Sequence, residues 1–337
     1  MSQLQQQERP AAALQRRFLR TPTQEGVVLA VAVVLFIAFM LTLPSFRTVG
    51  NLLLLMRSVA AIGVLGLAMA VVVIARGLDL SLVATMATSV AITLTLLNDQ
   101  SALVSVGAGF AVALLVGVIN GFVISFIEIP ALFATLAMGL LVYGVFRALY
   151  LKSELVELPD SGQFIKTLGA GAVLGIPISV AVFLGLALVL HLVLSRTVFG
   201  RFVYAHGDNP EASALSGISV RTLSIIEYAT CAVVGYIAGL LLVGSVSGIN
   251  ISVATGTLIY DVILVVVLGG VSLVGGRGSV LSVLVGTALV GIMLNGMTLL
   301  NLSNTQQNIA RGLILLGALV LDQKLHPRDE ETVRQGD

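Results

Sequence analysis

Apolar runs, most of them near the roughly twenty residues a helix needs to cross a bilayer, follow one another along almost the whole chain, and most are separated by only a few residues. They occupy 26–43, 58–75, 82–97, 102–127, 131–151, 173–194, 223–246, 251–273, 280–300 and 309–321. In hydrocarbon every backbone amide and carbonyl has to be satisfied within the protein, so runs of this kind spaced this closely are helices. The expectation is an all-α polytopic membrane protein with about ten transmembrane helices. A soluble globule is excluded by 57% hydrophobic and 10% charged residues and a mean hydropathy of +1.05. A net charge of +1, with no basic run interleaved with aromatics, argues against nucleic acid as a partner and leaves membrane lipid as the surroundings. Cys231 sits in an apolar run and reads as a packed thiol. His191, His206 and His326 are too scattered in sequence for a metal site.

A Gln-rich tail covers 1–25 and a charged tail covers 322–337, so the membrane domain spans 26–321. The run 26–43 nears a full span and is followed by Pro44 and Arg47 with no small-x-small cleavage site, which favours a signal anchor over a cleaved signal peptide. With the N-terminus inside, six of the 18 Lys and Arg residues (Arg47, Arg57, Arg147, Lys152, Lys166 and Arg311) fall toward the outer face and the others toward the cytoplasm. The positive-inside rule therefore favours an N-in, C-in chain with an even number of spans.

Two polar stretches then face opposite sides, 152–172 outward and 199–222 inward. The inner one contains a helix start: Asn209 accepts at the N-cap, Pro210 suits the first helical position, and the charge of Glu211 complements the helix dipole. Gly217 suits the left-handed position after the helix end. The stretch reads as loop, one surface helix of about two turns, and loop, serving either as a solvated connection or as a docking element. The outer stretch is equally a plain connection or a landing surface. Another break, Arg76-Gly77-Leu78-Asp79-Leu80-Ser81, is charged and lies between two apolar runs; it is a tight turn or a discontinuous helix. Asn120-Gly121 and Asn295-Gly296 each precede a stop and lie 175 residues apart, either a chance match or the weak trace of an inverted repeat relating spans two to five with spans seven to ten.

Four stretches together carry a family resemblance: Gly77-Leu78-Asp79-Leu80-Ser81; Asn120-Gly121 with Pro130-Ala131-Leu132-Phe133-Ala134-Thr135-Leu136; Gly200-Arg201 through Asn209-Pro210-Glu211-Ala212 to Leu215-Ser216-Gly217-Ile218; and Asp261 through Gly269-Gly270 to Gly275-Gly276-Arg277-Gly278. In these the chain resembles the permease subunit of ribose-type ABC importers, which move monosaccharides and related polyhydroxy solutes. The resemblance implies a bacterial cytoplasmic (inner) membrane location. It also implies a cytosolic ATPase subunit that uses ATP and Mg2+, an extracytoplasmic solute-binding protein, and a second permease subunit in a homo- or heterodimer. It places ATPase coupling on Gly200, Arg201, Gly207, Asn209, Pro210, Glu211, Ala212, Ser216 and Gly217. Leu82-Val83, Tyr143-Gly144 and Ile259 depart from the family pattern and bear on which solute is carried.

No phosphate-binding loop is present. The stretch from Gly270 to Arg277 has the spacing of one but lacks the Lys and hydroxyl that hold phosphate and Mg2+, so this subunit is no ATPase and needs no cofactor of its own. Polar candidates for the translocation path are Asp79, Ser81, Asn120, Asp261 and Asn295, each equally readable as a helix-packing or capping residue. Glu227, six residues after Arg221, reads as a surface carboxylate snorkelling to the inner face. The competing functional class is an ion-coupled secondary transporter using Asp79, Asp261 and Glu227. A bulky residue at Gly207, or Lys at position 211, is expected to uncouple transport while leaving the fold intact.

Overall fold

The computed structural model describes residues 24–149 and 153–325. The two tails and Lys152 lie almost wholly outside the described residues. Among these, seven helices are long and apolar enough to cross a membrane: α1 (Gln24–Thr42), α2 (Val49–Ile74), α4 (Ala102–Phe126), α5 (Ala131–Leu149), α7 (Ile178–Arg196), α10 (Val220–Val246) and α12 (Val280–Leu299). Two apolar runs form shorter helices, α3 (Leu82–Leu96) and α11 (Leu258–Gly269), and the last run is the apolar part of α13 (Asn304–Leu325). The polar stretches hold α6 (Gln163–Ala170), α8 (Val198–Asp208) and α9 (Pro210–Leu215). The chain is a multi-pass membrane protein.

Helix starts follow side-chain chemistry. Thr48 caps α2 by accepting from the Asn51 amide at 3.3 Å, and Ser101 caps α4 by accepting from the Val104 amide at 3.4 Å. At α12, Ser279 and Ser282 form a reciprocal capping box, and Glu25 at the start of α1 accepts from both hydroxyls at 3.1 and 2.6 Å. That contact fixes α1 to the second half of the chain.

The centre of the bundle is α3 with the second half of α2. Every residue of α3 from Leu82 through Leu94 is buried, as is all of α2 from Gly63 onward. A 15-residue helix is too short to span the hydrocarbon core alone, and its ends are tolerated at depth because protein surrounds them. Around it pack α4, α10, the turn Ile251–Thr255 and α5. The α4–α10 contact is close because Gly117 and Gly121 face the α10 backbone at Tyr228, Ala229 and Ile225, where any Cβ would collide. Exposed Leu41, Leu103, Phe133, Leu140, Leu188 and Leu313 on the outer helices make the apolar surface a bilayer covers.

A repeated element order is visible. Helices α2, α3, α4 and α5 have 26, 15, 25 and 19 residues, and α10, α11, α12 and α13 have 27, 12, 20 and 22, so each half runs long, short, long, long. Gly139 and Gly144 in α5 lie 173 residues before Gly312 and Gly317 in α13.

Three expectations need correction. The run 251–273 is no single span: a strand, β4 (Gly248–Asn250), and a 3-10 turn (Ile251–Thr255) precede the 12-residue α11. The stretch 152–172 is more than a connection, since β1 (Leu155–Glu157) pairs antiparallel with β4, and α6 packs on α10 through Gly169 against Gly244. A hairpin of β2 (Ala172–Val173) and β3 (Ile176–Pro177) follows, so short strands accompany the helices. Third, the stretch 199–222 holds parts of two helices where one was expected. Its residues and those of β1 and α6 meet opposite ends of α10, whose 27 residues rise about 40 Å, more than the roughly 30 Å hydrocarbon core of a bilayer.

Candidate functional site

The break between α2 and α3 is a discontinuous helix inside the protein. Helix α2 ends with Arg76 in the left-handed region (φ 67°), the Arg76 amide bonding the Val73 carbonyl at 2.9 Å and the Gly77 amide bonding the Val72 carbonyl at 2.8 Å. This is the paired closure that normally uses glycine at the position Arg76 holds. Gly77 is required next, because a Cβ there would meet the Tyr228 hydroxyl and the Val72 side chain.

The chain then turns Asp79, 1% exposed, into the core. Its Oδ1 accepts from the Ser81 amide at 2.9 Å and the Ser81 hydroxyl at 2.6 Å. Asn120 Nδ2 donates to Ser81 Oγ at 2.8 Å, and the thiol of Cys231 in α10 lies against the Asp79 carboxylate. Thr135 of α5 holds the same break from the other side: its Oγ1 accepts from the Leu80 amide at 3.1 Å and lies 3.2 Å from the Leu78 carbonyl. Burying these polar groups is tolerable because they bond one another. Asn120 Oδ1 is the exception, buried without a protein partner.

Three of the five path candidates, Asp79, Ser81 and Asn120, thus meet in one network. The other two stand elsewhere. Asp261 in α11 lies 3.0 Å from Arg311 Nε of α13, and Arg311 also donates to Thr257 Oγ1 at 3.0 Å and Asn308 Oδ1 at 3.2 Å. Asn295 exchanges amide bonds of 2.9 and 3.1 Å with Asn51, joining α12 to the start of α2. The sequence reading missed Thr135 and Arg311, and a search of the last helix of each half for polar residues would have found them.

Beneath the first break lies the pair α8 and α9. Thr197 caps α8 by accepting from the Gly200 amide at 3.2 Å. As expected, Asn209 caps α9, accepting from the Ala212 amide at 2.9 Å, and Gly217 closes it at φ 85°. Arg201, Asn209, Glu211, Ala212, Ser216 and Gly217 are exposed and Pro210 is partly so, whereas Gly200 and Gly207 are buried. Gly207 lies against the Ile74 carbonyl and the Gly276 amide, which bond each other at 2.8 Å. Bulk at Gly207 would therefore strike the backbone at the end of α2 and disturb packing, which corrects the expectation that the fold would be untouched. Tyr204 Oη donates to the Gly278 carbonyl at 2.8 Å, and burial pushes its phenol up. The glycine-rich stretch from Gly270 to Arg277 thus serves as the seat of α8.

Glu227 is also corrected. It is 1% exposed and faces into the protein, its Oε1 3.2 Å from His206 Nδ1 of α8.

The profile of the family described as "Branched-chain amino acid transport system / permease component" matches residues 51–320, which include the α2–α3 break, the irregular stretch before α11 and the α8–α9 pair. The chain belongs to this permease family. Among its relatives, the ribose import permease protein RbsC of Escherichia coli (strain K12) is 32% identical over 298 residues, covering 87% of this chain and 92% of its own. The fructose import permease protein FrcC of Rhizobium meliloti is 31% identical, covering 88% of this chain and 85% of its own. The L-arabinose transport system permease protein AraH of Escherichia coli (strain K12) is 33% identical, covering 88% and 89%. No solved structure matches this permease.

Proposed function

We propose that this chain is the transmembrane permease subunit of an ABC importer, that it passes a monosaccharide or related small polyhydroxy solute across the bacterial cytoplasmic membrane, and that a separate ATPase drives it. The observation that carries this reading is the set of relatives named for ribose, fructose and L-arabinose import, each aligned over most of both chains. In this reading the chain crosses the membrane ten times with both termini inside, the two halves are inverted repeats, and two permease subunits pair around the path. The β1–β4 and α6 region faces outward to a solute-binding protein. The ATPase docks on α8 and α9. Leu215, 91% exposed at the end of α9, and Phe202, 39% exposed on α8, are apolar side chains that a docked partner would cover. Asp79, Ser81 and Asn120 lie beside the path as polar groups for a hydroxylated solute, which an importer fed by a binding protein need hold only weakly.

Ion coupling through Asp261 or Glu227 is disfavoured because each carboxylate already has a cationic or imidazole partner. The test is uptake of labelled ribose, L-arabinose and fructose into proteoliposomes holding this permease together with an ATPase and a solute-binding protein from the same organism. ATP-dependent accumulation of one sugar is expected. Accumulation driven by an ion gradient with the permease alone would replace this reading with a secondary transporter.

A further inference from the structure

Helix α8 is gripped at its C-terminal end. Gly207 abuts the Ile74 carbonyl at the end of α2, and the neighbouring His206 pairs with Glu227 of α10, the one side-chain ion pair between α8 and α10 among the described residues. A carboxylate this deeply buried depends on its partner, because breaking a buried pair leaves an uncompensated polar group.

On α10, Glu227, Tyr228 and Cys231 share one helical face. Each reaches a different point of one line: Glu227 touches α8, Tyr228 touches Gly77 in the break, and Cys231 touches Asp79. From Asp79 the line continues through Ser81 to Asn120. Where α8, α10 and the break converge there is a cavity of about 360 Å³, lined by Arg76, Gly77, Glu128, His206, Glu227 and Tyr228. Tyr228 is buried there, its hydroxyl against the backbone of the break at Gly77 and Leu78. Among the other charges at the cavity, Glu128 is taken up by Arg221 at 3.0 Å and Arg76 lies exposed on the rim.

We propose that the His206–Glu227 pair is a latch that ties movement of α8 to the α2–α3 break, making both of them positioning residues for solute translocation. The proposal rests on the importer reading, since it needs an ATPase to move α8. Motion of a docked helix reaches the path through contacts that hold under load; toward the α2–α3 break these include Gly207 on the α2 end and the latch on α10.

The experiment uses the complete complex in proteoliposomes and reads solute moved per ATP hydrolysed, together with complex assembly by size-exclusion chromatography. His206→Leu and Glu227→Ala are expected to assemble and hydrolyse ATP but lower the uptake-to-ATP ratio about tenfold. His206→Gln and Glu227→Gln, which keep a hydrogen bond across the latch, are expected to retain the ratio within about threefold. The double variant His206→Leu with Glu227→Ala should be no worse than the poorer single one, as two halves of one contact require. A wild-type ratio in His206→Leu, or losses that multiply in the double variant, would overturn the latch. If Glu227→Ala does not insert, the His206→Leu and His206→Gln pair decides alone, since equal ratios in those two also overturn it. Absence of ATP-driven uptake by the wild type would defeat the importer reading and the latch together, and is told apart by that control.

Discussion

Between α2 and α3 the chain is held by hydroxyls, an amide and one carboxylate, whereas the start of α11, the short helix later in the chain, is held by a guanidinium. In both halves the last long helix reaches back to the short one: Thr135 of α5 bonds the backbone at Leu80, and Arg311 of α13 bonds Thr257 just ahead of α11 and pairs with Asp261 within it. The architecture is shared and the chemistry differs with depth. Asp79, Ser81 and Asn120 are almost fully enclosed, where short bonds between small groups can be satisfied without a full charge pair. The Arg311 side chain is 16% exposed, so the long cation can pair with Asp261 while keeping contact with the surface. The first break therefore depends on close packing and the second on charge.

The largest effect should come from breaking the second by itself. Arg311→Ala leaves Asp261 buried without a partner and is expected to destabilise the permease by about 3–5 kcal/mol, measured as thermal unfolding in detergent. Replacing both, Arg311→Met with Asp261→Leu, should recover most of it. A double variant as unstable as the single would mean that Arg311 matters through Thr257 and not through charge.

Next in size is a packing insult to the first break. Gly77→Val puts side-chain bulk against Tyr228 and Val72, at an expected cost of about 1–3 kcal/mol. The same assay checks it, with Gly312→Val in α13 as the control, since nothing lies near Gly312. Equal losses at both would erase the distinction between a packed and an open site.

Asp79→Asn keeps an acceptor for Ser81, so its stability should change by about 1 kcal/mol while ATP-driven uptake falls. Wild-type uptake in this variant would remove Asp79 from the path and leave it a structural cap. The smallest effect is expected at Asn295, whose bond to Asn51 lies outside both breaks: Asn295→Leu should cost about 0.6 kcal/mol and leave uptake unchanged. A clear loss of uptake would return Asn295 to the path.

Much of the bundle could be read from the chain because apolar length is a local property. The ends of α4, α10 and α12 fall within three residues of the apolar runs that forecast them. The cap at Asn209 and the left-handed Gly217 were equally legible, since capping needs only neighbours in sequence. Helix α8 was missed because its buried face, Val203, His206 and Gly207, is small and mixed with Arg201, Tyr204 and Asp208. Its helicity follows from packing against α7, α2 and α10, not from strong local propensity.

What the residues determined unaided is therefore the membrane class, the approximate helix set, the helix-start chemistry at Asn209 and the resemblance that the family match bears out. The tertiary structure decided which polar groups meet. Asp79 and Asn120 are 41 positions apart, His206 and Glu227 are 21 apart, and Asp261 and Arg311 are 50 apart. Nothing in those separations distinguishes a buried partner from a residue on the surface, as the reversed reading of Glu227 shows. A polar side chain in a membrane helix takes its meaning from whatever lies across from it, and that is set by how helices distant in sequence rotate and pack.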